Sequence, residues 1–296
     1  MRMQSRGKAR FRGSEAANGL AMISPTALYA TLLLAAPLVT IFLYSFWTDG
    51  YLTIVHEFTL QNYIDVWSNE AFRAVMLRSL GVSLAVTAVT VLTAFPVAYF
   101  VSFHVHPSKK SLWLFLITIP FWTSYLIRVF LWKVILGYNG VVNSGLMGLG
   151  ITDEPVTFIL YNVNSVIITL AHAYAPFAIL PIFVALEKID RSFLEAGRDL
   201  GESPFMTFIR VTLPLAMPGV ISSVLIVFIP TIGDYVTPLL VGGPEGRMVA
   251  NLIELSYKKL DNYPMGSAIA ISAMGIVVAV SLLFLFLNRR YLKGGK

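Results

Sequence analysis

The chain has no cysteine among its 296 residues, which excludes a disulfide scaffold, a thiolate metal site and cysteine catalysis. Charge is scarce as well. Asp, Glu, Lys and Arg make up 13% of the sequence, against about 25% in soluble domains. Hydrophobic residues reach 56% and the mean hydropathy is +0.73. Such a surface does not stay in water as one soluble domain, so a soluble enzyme is set aside. There is no Gly-x-x-x-x-Gly-Lys-Ser/Thr loop, so the chain does not bind ATP by that route. Only four histidines occur, and we expect no catalytic or metal-binding residue. The net charge of +6 could suggest nucleic acid, but its placement decides that question.

What the chain has in abundance is long apolar runs. A bilayer core of about 30 Å needs roughly 20 apolar residues in a helix. Candidate spans are Pro25 to Trp47, Leu80 to Phe103, Ser111 to Leu136, Val163 to Leu186, Leu215 to Leu240 and Met265 to Leu287. The first follows a basic leader, yet its apolar run is too long for a signal-peptide core and lacks a clear small-residue cleavage site. It reads as a retained helix.

Basic residues cluster in alternate segments. Arg2, Arg6, Lys8, Arg10 and Arg12 precede the first span; Lys109 and Lys110 separate the second and third; Lys188, Arg191, Arg198 and Arg210 separate the fourth and fifth; Arg289, Arg290, Lys293 and Lys296 follow the sixth. The intervening segments hold only Arg73 and Arg78, then none, then Arg247, Lys258 and Lys259. Positive residues mark the cytoplasmic side. The expected fold is therefore an all-α membrane protein with six transmembrane helices and both termini cytoplasmic. The +6 is largely topogenic, and no nucleic-acid partner is expected.

In domain terms, 1–24 is a basic cytoplasmic segment, 25–47 the first span, 48–78 an external segment, 79–288 the core membrane domain, and 289–296 a basic tail. The external segment is aromatic (Tyr51, Phe58, Tyr63, Trp67, Phe72), with a surface helix expected from about Leu60. The segment from Tyr138 to Asn162 is rich in Gly and Asn and reads as a loop with short turns.

The cytoplasmic loop 187–214 carries most of the internal charge. Ser192-Phe-Leu-Glu195 matches a capping box, which would start a helix near Phe193. Gly201 is a candidate C-terminal stop, Ser203-Pro204 a second helix start, and Leu213-Pro214 its close. A helix-turn-helix held between two spans suits a docking surface that passes force into the membrane. An ordinary capped loop gives the same pattern, in which Glu195 is only a cap and Gly201 only a turn.

Glu195-Ala-Gly-Arg-Asp-Leu-Gly201, nine further residues, then Val211-Thr-Leu-Pro214 resembles the EAA loop of ATP-binding-cassette importer permeases. That pattern is Glu-Ala-Ala, three residues, Gly, nine residues, Ile, one residue, Leu-Pro. The spacing matches throughout. Gly197 replaces the second Ala, which should loosen the first helix slightly, and Val211 replaces Ile. The resemblance implies a type I importer fold in which Glu195, Ala196, Gly197, Gly201, Leu213 and Pro214 form the coupling loop, seated in a groove of a cytoplasmic ATPase.

Other segments are similar to spermidine/putrescine permeases: Phe58-Thr-Leu-Gln-Asn-Tyr63, Ile119-Pro-Phe-Trp-Thr-Ser124 with Leu126-Ile-Arg128, Ala185-Leu-Glu-Lys-Ile-Asp190, and Gly233-Asp-Tyr-Val-Thr-Pro238 before Val241-Gly-Gly-Pro244. The likeness runs from about Phe58 almost to the C-terminus. It implies a multi-pass protein of the bacterial inner membrane working with two ATPase copies, a second homologous permease subunit and a periplasmic or extracellular solute-binding protein. No cofactor is expected in this chain, with ATP and Mg on the ATPase. Permeases for opines, other amines or amino-acid derivatives share much of the pattern. A non-transport membrane protein using loop 187–214 as a generic interaction surface is a further alternative.

An ionisable group inside a span is by default a functional candidate. Arg128 would lie about 25 Å along a helix from Ser111, and Asp234 at a similar depth on the fifth span. A pair between them would lower the cost of each. Alternatively Asp234, with Tyr235, Trp122 and Tyr125, lines a path for a cation, the rings offering cation–π contact. Interfacial aromatics would give the same residues at this height. Lys133 should snorkel outward, and His172 is expected to be a buried hydrogen-bonded group. Gly233-Asp234 also brings an intramembrane aspartyl protease to mind. That chemistry needs two carboxylates sharing a proton, and no other span supplies one.

Overall fold

A computed structural model describes residues 15–50 and 53–292. Tyr51 and the basic residues Arg2, Arg6, Lys8, Arg10, Arg12, Lys293 and Lys296 lie outside the described residues. Fourteen helices occur among those described, with one short hairpin. Five are long and apolar enough to cross a membrane, and the bent pair Pro107–Trp122 and Tyr125–Ile135, taken as one span, makes six.

Helix α1 (Glu15–Tyr44) leads into a two-stranded hairpin, β1 (Thr48–Gly50) and β2 (Thr53–Val55). Helix α2 (Gln61–Ser68) follows, in line with the helix expected from Leu60. Asn62 on α2 donates to the carbonyls of Ser45 and Trp47 at 3.0 and 2.8 Å, fixing the external segment onto the end of α1. Helix α3 (Glu70–Phe103) starts well before Leu80 because Asn69 caps it, accepting from the amides of Ala71 and Phe72.

The third span is not one helix. Helix α4 (Pro107–Thr118) runs into a 3₁₀ turn (Ile119–Trp122), and α5 (Tyr125–Ile135) departs at 88°. Pro120 withholds a backbone donor, and Thr123 and Ser124 are extended (ψ 147° and 138°), so the α-helical ladder cannot continue. The expected loop between Tyr138 and Asn162 contains a helix, α6 (Val141–Gly148). Helix α7 (Val163–Glu187) begins at a capping box of Asn162 and Ser165.

Helices α8 (Arg191–Asp199) and α9 (Pro204–Thr207) form the cytoplasmic loop. A π-helical segment (Phe208–Thr212) joins α9 to α10 (Leu213–Ile232), so Pro204–Ile232 is one continuous 29-residue helix. The expected close at Leu213-Pro214 therefore does not occur; Pro214 sits in the first turn of α10, where its missing N–H costs little. Helices α11 (Val236–Val241), α12 (Val249–Lys258), α13 (Tyr263–Leu287) and α14 (Arg289–Leu292) complete the chain.

The core lies among α3, α7 and α10, where Val86, Val101, Leu170, Ile182, Leu186 and Val227 are fully buried. Close approach depends on Gly219: a Cβ there would lie 2.5 Å from Ala185 Cβ and 2.6 Å from the Pro181 carbonyl. Ser223 ties the same pair of helices, its hydroxyl donating to the Ala178 carbonyl of α7 at 2.9 Å. Small residues at contacts and hydroxyls satisfied by backbone are what packing in lipid favours, where apolar burial gives no net drive. Helix α1 stands outside this core against α13, and its apolar side chains are almost all exposed in the isolated chain.

Candidate functional site

Two places gather the residues singled out by sequence. The first is the cytoplasmic loop. Here Asp190, not Ser192, is the cap of α8: its carboxylate accepts from the Ser192 amide at 2.9 Å, and the helix starts at Arg191. The capping-box reading is corrected accordingly, since an Asp two residues upstream is an equally good acceptor for the free amides of the first turn. This bond holds the Asp190 carboxyl below the usual aspartate range.

Glu195 and Ala196 are exposed on α8, whereas Gly197 is buried. A Cβ at Gly197 would stand 3.3 Å from Thr207 Cγ2 and Oγ1, so the missing methyl lets α9 approach α8. Gly201 has φ +81°, the left-handed stop that glycine adopts without cost. Ser203 caps α9 by accepting from the Met206 amide at 3.3 Å, and Arg210 pairs with Glu202 at 2.9 Å.

Leu200 is 84% and Phe205 69% exposed, and Phe193 and Met206 are exposed beside them. Phe193, Ala196 and Leu200 recur at helical spacing on one face of α8. Large apolar groups grouped in a charged loop mark an interaction surface. Their signal in the sequence was apolar residues at i, i+3 and i+7 within a polar helix. Phe208 turns the other way, its ring edge-on to Phe95 and Tyr99 of α3 at 5.5 and 6.0 Å between centroids.

The second place is the outer break. Asp234 does not lie within a helix: α10 ends at Ile232, and Asp234 is the buried residue between α10 and α11. Its Oδ1 accepts from the amides of Val236 and Thr237 at 2.9 and 3.3 Å, which makes it the effective cap of α11. Its Oδ2 accepts from the Tyr125 hydroxyl. Tyr125 Oη also lies 2.7 Å from Thr237 Oγ1. Two helix breaks thus meet at one carboxylate. Thr237 escaped sequence reasoning, having no signal beyond its place after Asp234.

Arg128 and Asp234 do not pair. The Arg128 guanidinium donates to the Thr123 carbonyl at 3.3 Å, and its buried Nε has no protein partner among the described residues. The 88° bend at Thr123 removes the straight-helix geometry that gave the two groups equal depth. Trp122 is 78% exposed with its ring edge-on to Phe115 at 6.1 Å, and shares no hydrogen bond or aromatic contact with the Asp234 cluster. Tyr235 faces outward under Lys258, whose Nζ lies 5.7 Å from the ring centroid. His172 is exposed rather than buried, and its Nδ1 accepts from Trp132 Nε1 at 3.1 Å. Lys133 sits in the last turn of α5, where the helix dipole favours a cation.

Residues 94–293 match the family described as binding-protein-dependent transport system inner membrane component. The chain belongs to this family. As a permease it is 39% identical over 235 residues to the spermidine/putrescine transport system permease protein PotB of Haemophilus influenzae, covering 79% of this chain and 80% of that one. It is 36% identical over 226 residues to PotB of Escherichia coli, covering 76% and 81%. The inner membrane ABC transporter permease protein YdcU of E. coli is 31% identical over 261 residues, covering 83% and 82%. Among solved structures, a bacterial alginate ABC transporter in complex with an alginate pentasaccharide-bound periplasmic protein contains a chain matching this permease at TM-score 0.71 and 18% identity. That match covers 93% of this chain and 95% of the other. It shows a shared fold, the all-α importer membrane domain. The permease is thus a multi-pass inner-membrane transport component, and its family is a transport family, not a catalytic one.

Proposed function

We propose that this permease forms the translocation path of an ATP-driven importer for polyamines of the spermidine/putrescine class. The carrying observation is the Asp234 carboxylate. It is buried, it is held by three neutral donors, and no Lys or Arg among the described residues pairs with it. A carboxylate offers about four acceptor sites, so its hydrogen bonds leave room and its charge is uncompensated. An ammonium group is the natural complement, and the names of the relatives at 36–39% identity support that class.

Arg128 favours a second reading. A guanidinium with an unpartnered Nε suits a solute that carries a carboxylate beside its amine, such as an opine or amino-acid derivative. Competition separates the two: uptake of labelled spermidine blocked by putrescine and not by amino-acid derivatives supports the first, and the reverse supports the second.

The loop from Asp190 to Pro214 is the docking surface for a cytoplasmic ATPase dimer that binds ATP and Mg. Glu195, Ala196, Gly197 and Gly201 shape it, and Phe193 and Leu200 supply apolar contact. Leu213 and Pro214 lie where the loop becomes α10, so a push on α9 acts directly on the span. A second permease subunit packs against this one in the bilayer, and an external binding protein delivers the solute. Closure of the ATPases then rocks the helix bundles between inward and outward openings. Copurification of a tagged permease tests the assembly; a chain that never brings down an ATPase overturns it.

A further inference from the structure

The coupling loop is attached to the membrane domain in two different ways. On its C-terminal side the attachment is covalent and helical, from Pro204 to Ile232. On its N-terminal side the chain makes a tight turn, with the Ile189 amide donating to the Leu186 carbonyl at 3.1 Å, before Asp190 caps α8. The residue at the root of that turn is Glu187, the last of α7.

Glu187 Oε1 accepts from Lys110 Nζ at 2.5 Å and from Ser102 Oγ at 2.7 Å. Lys110 Nζ also donates to the Ser102 carbonyl at 2.7 Å. The cytoplasmic ends of α3, α4 and α7 therefore converge on one carboxylate oxygen and one ammonium. The Lys110 side chain is only 13% exposed.

Each charge stands where its own helix disfavours it. Glu187 is acidic at the C-terminus of α7, and Lys110 is basic in the first turns of α4, so both macrodipoles oppose them. The cross-helix contacts offset this, and the Lys110 ammonium also satisfies a free carbonyl of the last turn of α3. A pair placed for the benefit of its own helices would be arranged the other way round.

We propose that Lys110, Glu187 and Ser102 form an ionic latch that makes the cytoplasmic ends of α3, α4 and α7 one body, so that movement of α8 reaches all three. These are positioning residues for the coupling of ATP hydrolysis to transport, and the proposal rests on the importer reading above. Without the latch, a force arriving at the end of α7 through the Lys188-Ile189 turn would reach α3 and α4 only through the apolar packing of the core.

The test uses the complete importer in proteoliposomes with its binding protein, scoring solute imported per ATP hydrolysed. Glu187→Gln and Lys110→Met should assemble and hydrolyse ATP while solute per ATP falls about tenfold, within the usual range for coupling between sites. The exchanged pair Lys110→Glu/Glu187→Lys should recover part of the loss. Assembled single variants with wild-type solute per ATP overturn the latch.

A second measurement leaves the latch residues intact. The chain has no native cysteine, so spin labels at His104→Cys and Lys188→Cys, both exposed, report the α3–α7 distance without background from this chain, the partner subunits being used in cysteine-free form. It should stay the same between nucleotide-free and ATP-trapped states while a label on α8 moves relative to the external side. A change in the His104–Lys188 distance on trapping overturns the proposal. This readout needs ATP but no solute, so it separates failure of the latch from failure of the substrate assignment.

Discussion

The Tyr125 hydroxyl donates to the Asp234 carboxylate across 109 residues of sequence, joining the start of α5 to the cap of α11. Both residues stand at helix breaks, one after the bend at Thr123 and one after α10 ends at Ile232. The contact makes two broken spans share a single polar joint, and among the described residues the carboxylate has neutral partners only.

Asp234→Asn separates charge from geometry. The amide oxygen can still accept from the Val236 and Thr237 amides, so α11 keeps its cap and the protein should assemble normally. Uptake should fall because the ammonium loses its counter-charge. Unchanged transport kinetics would remove Asp234 from the pathway.

Tyr125→Phe tests the joint from the other side. It removes a hydrogen bond to a buried charged group, a loss of about 1.5–3 kcal/mol, while the carboxylate keeps both backbone donors. Thermal unfolding in detergent should shift downward, and uptake should fall less than in Asp234→Asn. A loss of uptake equal to that of Asp234→Asn would mean that geometry, not charge, governs the site.

Gly219→Leu should overpack the α7–α10 contact by about 1–3 kcal/mol, because Ala185 and the Pro181 carbonyl occupy the space. Gly197→Ala is a finer case. A gain in helix propensity of about 1 kcal/mol is opposed by the 3.3 Å approach to Thr207, so stability should change little. A large destabilisation there would show that the α8–α9 contact cannot yield.

The cap of α8 predicts a pH dependence. The folded Asp190 carboxyl lies below its unfolded range, so its contribution is complete above the unfolded value and is lost as pH falls through the lowered one. Protection of the amides from Phe193 to Gly197, taken relative to the unstructured exchange rate at each pH, should fall on acidification below the ordinary aspartate range. Asp190→Asn keeps an acceptor for the Ser192 amide and should flatten that response. An equally steep response in Asp190→Asn would assign it to another group.

Most of the membrane architecture was legible because hydropathy and basic residues act over whole segments. All six apolar runs were visible, and Gly201 and Ser203-Pro204 declared the turn between α8 and α9. The bend inside the third run and the end of α10 inside the fifth were not, because composition alone does not show a break. Thr123 and Ser124 leave a long apolar run uninterrupted, and only the backbone reveals the bend. Asp234 looked helical for the same reason, since the residues beyond Gly233 are apolar again. The cap at Asp190 was missed because two acceptors, Asp190 and Ser192, stand within reach of the same first turn, and sequence spacing does not choose between them. The Lys110–Glu187 pair, 77 residues apart, had no local signal at all.

The central claim is that this chain, with an ATPase, a second permease and a binding protein, imports a polyamine. Uptake of labelled spermidine into proteoliposomes carrying the whole assembly tests it most directly. Accumulation that requires ATP and the binding protein, and that drops in Asp234→Asn, is the predicted result. An assembly that hydrolyses ATP on adding its loaded binding protein, yet never accumulates spermidine or putrescine, would contradict it.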